Sequence, residues 1–297
     1  MTILENHPLA RYTTYQIGGL ADFFVEAIST EEVMEALEWA QDRDMPVYVF
    51  GGGSNLLFDD EGFRGLVIRM RSHGLEVRGD EIWAEAGVVM AKVVKAAAEA
   101  GLTGLEEWNG LPGSVGGAVL GNAGCFGVET KDVLKEASVY LPGEGVKTVE
   151  VDFFEYRYRW SRFKKETGVI LNAVFKLRKG SPEAIQEKMT AVARTRIQKQ
   201  PPGSSTGSFF RNPPGDHAGR LIEAAGLKGK QVGKAMISTA HANFMMNMGG
   251  ASSVDVLTLS EQIQNEVERQ FGIRLEREVV YVAPVLRYNE DEFNTTP

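Results

Sequence analysis

The chain has 297 residues, 43% of them hydrophobic and 24% charged, an ordinary globular composition with room for two or three domains of about 100–200 residues each. A formal net charge of −8, with the basic residues scattered, argues against an extended nucleic-acid surface or a polybasic membrane patch. One cysteine, Cys125, rules out an internal disulfide and a cysteine-based zinc cluster. The four histidines include no HExxH, and no run approaches the ~18 apolar residues of a membrane span. The expectation is a cytoplasmic protein with no metal, no nucleic-acid partner and no membrane insertion.

In chain order, residues 23–28 read as a strand. Ser29 and Glu32 form a capping box for a helix that turns Val33, Leu37 and Ala40 inward, and Pro46 ends that unit. Residues 47–50 are a short buried strand running into Gly51-Gly-Gly-Ser-Asn55. Alternation predicts strands at 66–70, 74–77 and 81–85, then a helix over about 88–100 that Gly101 stops. Residues 104–127 are glycine-rich yet poor in the polar residues of a tether, so an ordered binding loop is expected there.

Further strands are expected at 136–141, 146–152 and 168–177. Ser181-Pro-Glu183 starts a helix that Pro201-Pro-Gly203 closes, the best domain boundary in the chain. Asp216 then caps a helix that Gly226 stops, and Ser253 caps another that runs to Phe271. Residues 273–281 alternate as a strand, and the tail from 286 is polar and expected to be loosely held.

Two segments carry the chemistry. Gly51-Gly52-Gly53-Ser54-Asn55 after a buried strand has the makings of a phosphate nest, although such a run also serves as a plain tight turn. It fits neither GxGxxG opening a helix nor GxxxxGK[ST]. Leu111-Pro-Gly-Ser-Val-Gly-Gly-Ala118 with Gly121-Asn-Ala-Gly-Cys-Phe-Gly127 is more specific, because so many small residues let backbone pass close to a flat, extended ligand such as a flavin dinucleotide. His217 and His241 read as capping or core residues, and Cys125 as a small packed side chain.

Gly51-Gly-Gly-Ser-Asn-Leu56, Leu111-Pro-Gly-Ser-Val-Gly-Gly-Ala118 with Asn122-Ala-Gly124, and Gly207-Ser-Phe-Phe-Arg-Asn-Pro213 occur in that order, with Tyr15-Gln-Ile-Gly-Gly19 before them and Leu275-Glu-Arg-Glu-Val279 after. Together they resemble the UDP-N-acetylenolpyruvoylglucosamine reductases over about residues 10–283. The resemblance implies an α+β protein with an FAD-binding fold of the vanillyl-alcohol-oxidase (PCMH) type in two lobes, plus a C-terminal α+β substrate-binding domain. The corresponding divisions are 1–70, joined by 279–297, then 71–200 and 201–278.

It also implies non-covalent FAD, NADPH as hydride donor and a UDP-sugar substrate, in an enzyme of peptidoglycan precursor synthesis, with a monomer favoured. The flavin contacts fall on Gly51, Gly52, Gly53, Ser54, Asn55, Leu56, Pro112, Gly113, Ser114, Gly116, Gly117, Ala118, Asn122, Ala123 and Gly124. The proton-donating serine falls on Ser208, the carboxylate-recognising arginine on Arg159 and the catalytic glutamate on Glu278, with substrate contacts at Lys199 and Asn212. Trp160 stands where the family usually has Asp or Asn, and Ala240 where a lysine is common. The span from Arg159 to Lys199 is too short for the tyrosine loop of longer members, which implies the compact subclass. Two other readings are compatible with the residues: a different flavoenzyme of the same fold acting on a small alcohol or hydroxy acid, and a non-catalytic nucleotide-binding protein.

Overall fold

Three sheets of three or more strands carry the architecture, in a computed structural model that describes residues 1–285. The polar tail from 286 lies outside the described residues. The first sheet has four strands in the order Leu4–Pro8, Leu20–Ala27, Phe63–Met70, Val47–Phe50. Its first pair is antiparallel and the others are parallel. Helix α1 (Thr30–Gln41) makes the crossover that parallel pairing needs. Ser29 Oγ accepts the Glu32 amide, while the Glu32 carboxylate accepts the amide of Ile28, one residue before the cap.

The second sheet is antiparallel throughout, in the order Gly145–Glu150, Leu134–Leu141, Val169–Lys176, Glu81–Glu85, Leu75–Arg78. Helices α2 (Met90–Glu99), α3 (Val115–Gly121) and α4 (Pro182–Lys199) accompany it. The cap of α4 is the expected one, with Ser181 Oγ accepting the Ala184 amide. One apolar core unites the first two sheets, joining Val25, Val33 and Ile68 to Ile82, Val93 and Phe175.

A third sheet, Gln231–Val232, Ala235–Ile237 and Met245–Asn247, packs with α5 (Ala218–Ala224) and α6 (Ser253–Phe271). Its core of Phe209, Phe210, Leu221, Val256 and Ile263 also takes in Tyr15 and Leu57 from the first part of the chain. Both caps here differ from expectation. Ser252, not Ser253, accepts the Asp255 amide, because the Ser253 hydroxyl and amide are both engaged by Asp60, which ties the helix start to the first sheet's region. Helix α5 begins after His217, and the Ala218 amide donates to Asn212 Oδ1 instead of to Asp216.

Two further differences concern the ends of the glycine-rich and C-terminal segments. Residues 104–127 contain α3, although glycine is a poor helix former. Val115, Ala118 and Val119 are buried on it, and a Cβ on Gly116 would stand 2.9 Å from that of Ala86. Of the strand expected over 273–281, only Val280 and Tyr281 pair regularly, in a strand Val280–Val282 that runs one residue further and lies parallel to Leu56–Phe58, while Arg277 makes one isolated bridge to Phe210. The chain thus returns to the first part of the molecule after the third sheet. Among the described residues, no helix is long and apolar enough to cross a membrane.

Candidate active site

The two glycine loops lie against each other, backbone on backbone. A Cβ on Gly51 would stand 2.0 Å from Ser114 Oγ, and one on Gly52 would stand 2.9 Å from Gly113 Cα. Gly53 and Gly113 have φ of +62° and +110°, the region that favours glycine. Amides of Val115 and Gly116 donate to the carbonyls of Val88 and Ala86, which fixes the start of α3 against the second sheet. The loop at 51–55 is held through its carbonyls: Gly53 accepts from Thr14 and Asn55 from Val280. No amide of residues 51–55 donates a backbone–backbone hydrogen bond outside the strand ladders. Glycine backbone that would be closed off by any Cβ, with amides left free of backbone partners, suits the close approach of a diphosphate and a flat ring, so the residues present fit a flavin dinucleotide.

Individual members of the set play distinct parts. Asn122 caps α3 at φ +45° and is fully buried. Its side-chain amide donates to Glu129 and to the Arg157 carbonyl and accepts from the Lys131 amide, so it braces the loop. Carbonyls of Ala118 and Ala123 both accept from the Thr130 hydroxyl. Leu56 is buried in its strand, Gly117 sits inside α3, and Pro112 is exposed. Cys125 is packed as expected: its thiol donates to the Glu107 carbonyl and receives a bond from Arg196, and burial pushes its pKa up.

The charged centre lies where the three parts of the chain meet. Arg159 Nε donates to Glu278 Oε1 across 3.0 Å, and its Nη2 donates to the carbonyl of Gly124 in the second glycine loop. The Glu278 carbonyl accepts from Asn55 Nδ2 of the first loop at 3.1 Å, and its amide donates to the Phe209 carbonyl at 2.8 Å. Phe209 follows Ser208, which forms an isolated bridge with Phe244. One short bonded path therefore links Asn55, Gly124, Arg159, Glu278 and the backbone beside Ser208.

Burial sets the electrostatics of this centre. Side chains of Arg159 and Glu278 are only 20% and 19% exposed. Desolvation raises the Glu278 pKa, although Arg159, Lys164 and Arg211 all favour its ionised form. Lys164 is pushed down to about 8, by burial first and then by Arg211 and Arg159. The cluster can therefore hold an anion and present a carboxyl group that keeps its proton more readily than usual. Lys199 ends α4 in an exposed position, and its charge acts on His241. Asn212 is committed through Oδ1 to the start of α5.

A family model described as "UDP-N-acetylenolpyruvoylglucosamine reductase, C-terminal domain" matches residues 198–282, and one described as "FAD binding domain" matches residues 21–150. A curated UDP-N-acetylenolpyruvoylglucosamine reductase of Chloroflexus aurantiacus is 42% identical over 94% of this chain and 97% of its own length. The chain is a member of the UDP-N-acetylenolpyruvoylglucosamine reductase family. Another reductase of this family, from Rubrobacter xylanophilus, is 41% identical over 92% of the chain and 93% of its own length. The crystal structure of a UDP-N-acetylenolpyruvylglucosamine reductase from Thermus caldophilus superposes with a TM-score of 0.81 at 36% identity, covering 94% of this chain and 98% of that one. The fold is thus that of the family, an α+β FAD-binding unit of the PCMH type with a C-terminal domain.

Within this reductase framework two basic residues were given no role from the sequence: Lys164, which no motif included, and Arg211, which stands inside the Gly207–Pro213 motif. Both act on Glu278, and Lys164 Nζ also donates to the Arg159 carbonyl at 2.7 Å. For Lys164 the sequence signal is proximity, five positions after Arg159; for Arg211 it is membership of the motif that carries Ser208, three positions earlier.

Proposed function

We propose that this protein reduces the enolpyruvyl ether of UDP-N-acetylglucosamine to UDP-N-acetylmuramate, with bound FAD and NADPH, as a cytoplasmic monomer in peptidoglycan precursor synthesis. Family membership supports the reaction, and the Arg159–Glu278 pair at the meeting of the glycine loops with the Ser208 segment carries the residue roles. FAD, when bound, would supply the hydride chemistry that links oxidation of NADPH to reduction of the enolpyruvyl group. The glycine segments, with Ser54, Asn55 and the 112–124 loop, hold the cofactor.

Negative charge then develops on the carbon beside the substrate carboxylate. Arg159 uses Nε and Nη2 within the protein, leaving Nη1 for that carboxylate, where a charge-assisted bond strengthens as charge builds. Burial pushes the Glu278 pKa up, so its carboxyl group takes and holds a proton more readily than an exposed one and would share the developing charge by hydrogen bonding. Ser208 delivers the proton that completes the reaction. A hydroxyl is a weak acid, but a carbanion is a strong enough base to take its proton. Lys199 and Asn212 bind the sugar nucleotide from the C-terminal side.

The same reading divides the chain into 1–70 with the returning segment from 279, 71–200, and 201–278. The pairing of Val280–Val282 with Leu56–Phe58 supports the return, and the separate core around Val256 supports the third part. The test is the visible spectrum of the purified protein. It should show a flavin band that NADPH bleaches and that the enolpyruvyl sugar nucleotide restores under anaerobic conditions. A bleached band that this substrate leaves unchanged would refute the assignment.

A further inference from the structure

The guanidinium of Arg159 reaches Glu278 from an unusual backbone. Residues 157–160 form a tight turn in which the Arg157 and Trp160 backbones exchange hydrogen bonds at 3.1 Å each way, and Arg159, third in the turn, has φ +54°. Left-handed backbone at that place normally calls for glycine or asparagine. The turn is held at three points. Asn122 donates to the Arg157 carbonyl at 2.9 Å, the Ser161 hydroxyl donates to the Leu120 carbonyl, and Lys164 Nζ donates to the Arg159 carbonyl at 2.7 Å. The last bonds to Arg159's own peptide group.

Lys164 lies in the short 3-10 turn Arg162–Lys164, its amide bonded to the Ser161 carbonyl at 3.0 Å. The charged groups that act on it are Arg211, Glu278 and Arg159. Three cations thus act on the one carboxyl group of Glu278, Arg159 in direct contact with it. Glu276 supplies Arg211 only a long contact of 3.4 Å, and Arg211 Nε is buried without a hydrogen-bond partner. The cluster has room in its charge balance for one more anion.

We propose that Lys164 is a positioning residue of the carboxylate clamp, holding the 157–160 turn so that Arg159 faces Glu278 and the incoming carboxylate, and adding the positive charge that completes the receptor. The proposal rests on Arg159 being the residue that binds the substrate carboxylate. Because Lys164 gives up its proton near pH 8 in the free protein, an anion bound beside it holds that proton more tightly. Binding of the anion then takes up a proton, and affinity falls as pH rises past that point.

The experiment uses the FAD-loaded protein and UDP-N-acetylmuramate, titrated calorimetrically between about pH 6 and pH 10. Wild-type affinity should decline above about pH 8, by up to about tenfold per pH unit. K164M should bind about 10–100-fold more weakly at neutral pH, lose that decline, and reoxidise with the enolpyruvyl sugar nucleotide about 10²-fold more slowly while NADPH still bleaches its flavin. K164R, which keeps the donor and the charge, should recover most of the affinity without the decline near pH 8. A wild-type affinity that is flat through this range would overturn the proposal without recourse to any variant. So would K164M with the wild-type profile. R159A separates the two ideas: if it binds the product as the wild type does, the assignment of Arg159 is lost, whereas weak binding by R159A with normal binding by K164M removes only the role of Lys164.

Discussion

Arg159 and Glu278, 119 positions apart in the chain, are joined by a single bond of 3.0 Å between Nε and Oε1. That contact fastens the second glycine loop, through Gly124, to the C-terminal segment that carries the chain back to the strand Leu56–Phe58. A lysine in place of Arg159 has one charged nitrogen for the two contacts with Glu278 and the Gly124 carbonyl and for the substrate carboxylate proposed to bind there. R159K should therefore raise KM for the enolpyruvyl sugar nucleotide and lower kcat by about 10²–10³-fold, with flavin content unchanged. Steady-state kinetics on flavin-matched samples checks this, and a variant with wild-type kcat would remove Arg159 from the site.

The closeness of the two glycine loops makes a second prediction. In G51A the new methyl group would meet Ser114 Oγ at 2.0 Å and Ser114 Cβ at 2.8 Å. The loops must part, at a cost of about 1–3 kcal/mol for overpacking, and the cradle loosens. G51A should be purified with less FAD, and the double variant G51A/S114G, which removes the obstructing side chain, should regain it. The ratio of flavin to protein absorbance reports the outcome.

Stability should carry a mark of Lys164. Its folded-state pKa, about 8, lies below the usual lysine value of 10.5, so between those values the unfolded chain binds more protons than the native one. Stability therefore gains from this residue as pH rises through that window, by at most about 1.4 kcal/mol per pH unit, and the charged lysine is a cost below it. Denaturant melts of wild type and K164M across this range should converge on the wild type's favour as pH rises, with the difference between them changing by the Lys164 contribution alone. A difference independent of pH would show that the lysine titrates normally.

The parts of the structure that were legible in the sequence are those decided locally. Ser181 followed by Pro182 starts α4, and Ser29 with Glu32 starts α1, because a cap needs only residues within one turn. Helix α3 was hidden because Gly116 and Gly117 weaken any helical signal, and what makes the helix is the close seat of Gly116 on Ala86, a contact across 30 positions. Ser252 displaced Ser253 as a cap for a similar reason, since Asp60 claims Ser253 from far away. Within the site, motif order pointed to Arg159, Ser208 and Glu278. Lys164 and Arg211 were not legible, since a basic side chain becomes unusual only when distant segments bury it beside others of its kind.

The most direct test concerns Ser208, because the role proposed for it separates two half-reactions that any general damage to the protein would impair together. In S208A, stopped-flow mixing with NADPH should bleach the flavin at close to the wild-type rate, since that step needs no proton from the serine. Reoxidation by the enolpyruvyl sugar nucleotide should be slower by about 10²–10⁴-fold. Equal slowing of both steps, or of neither, would contradict the account.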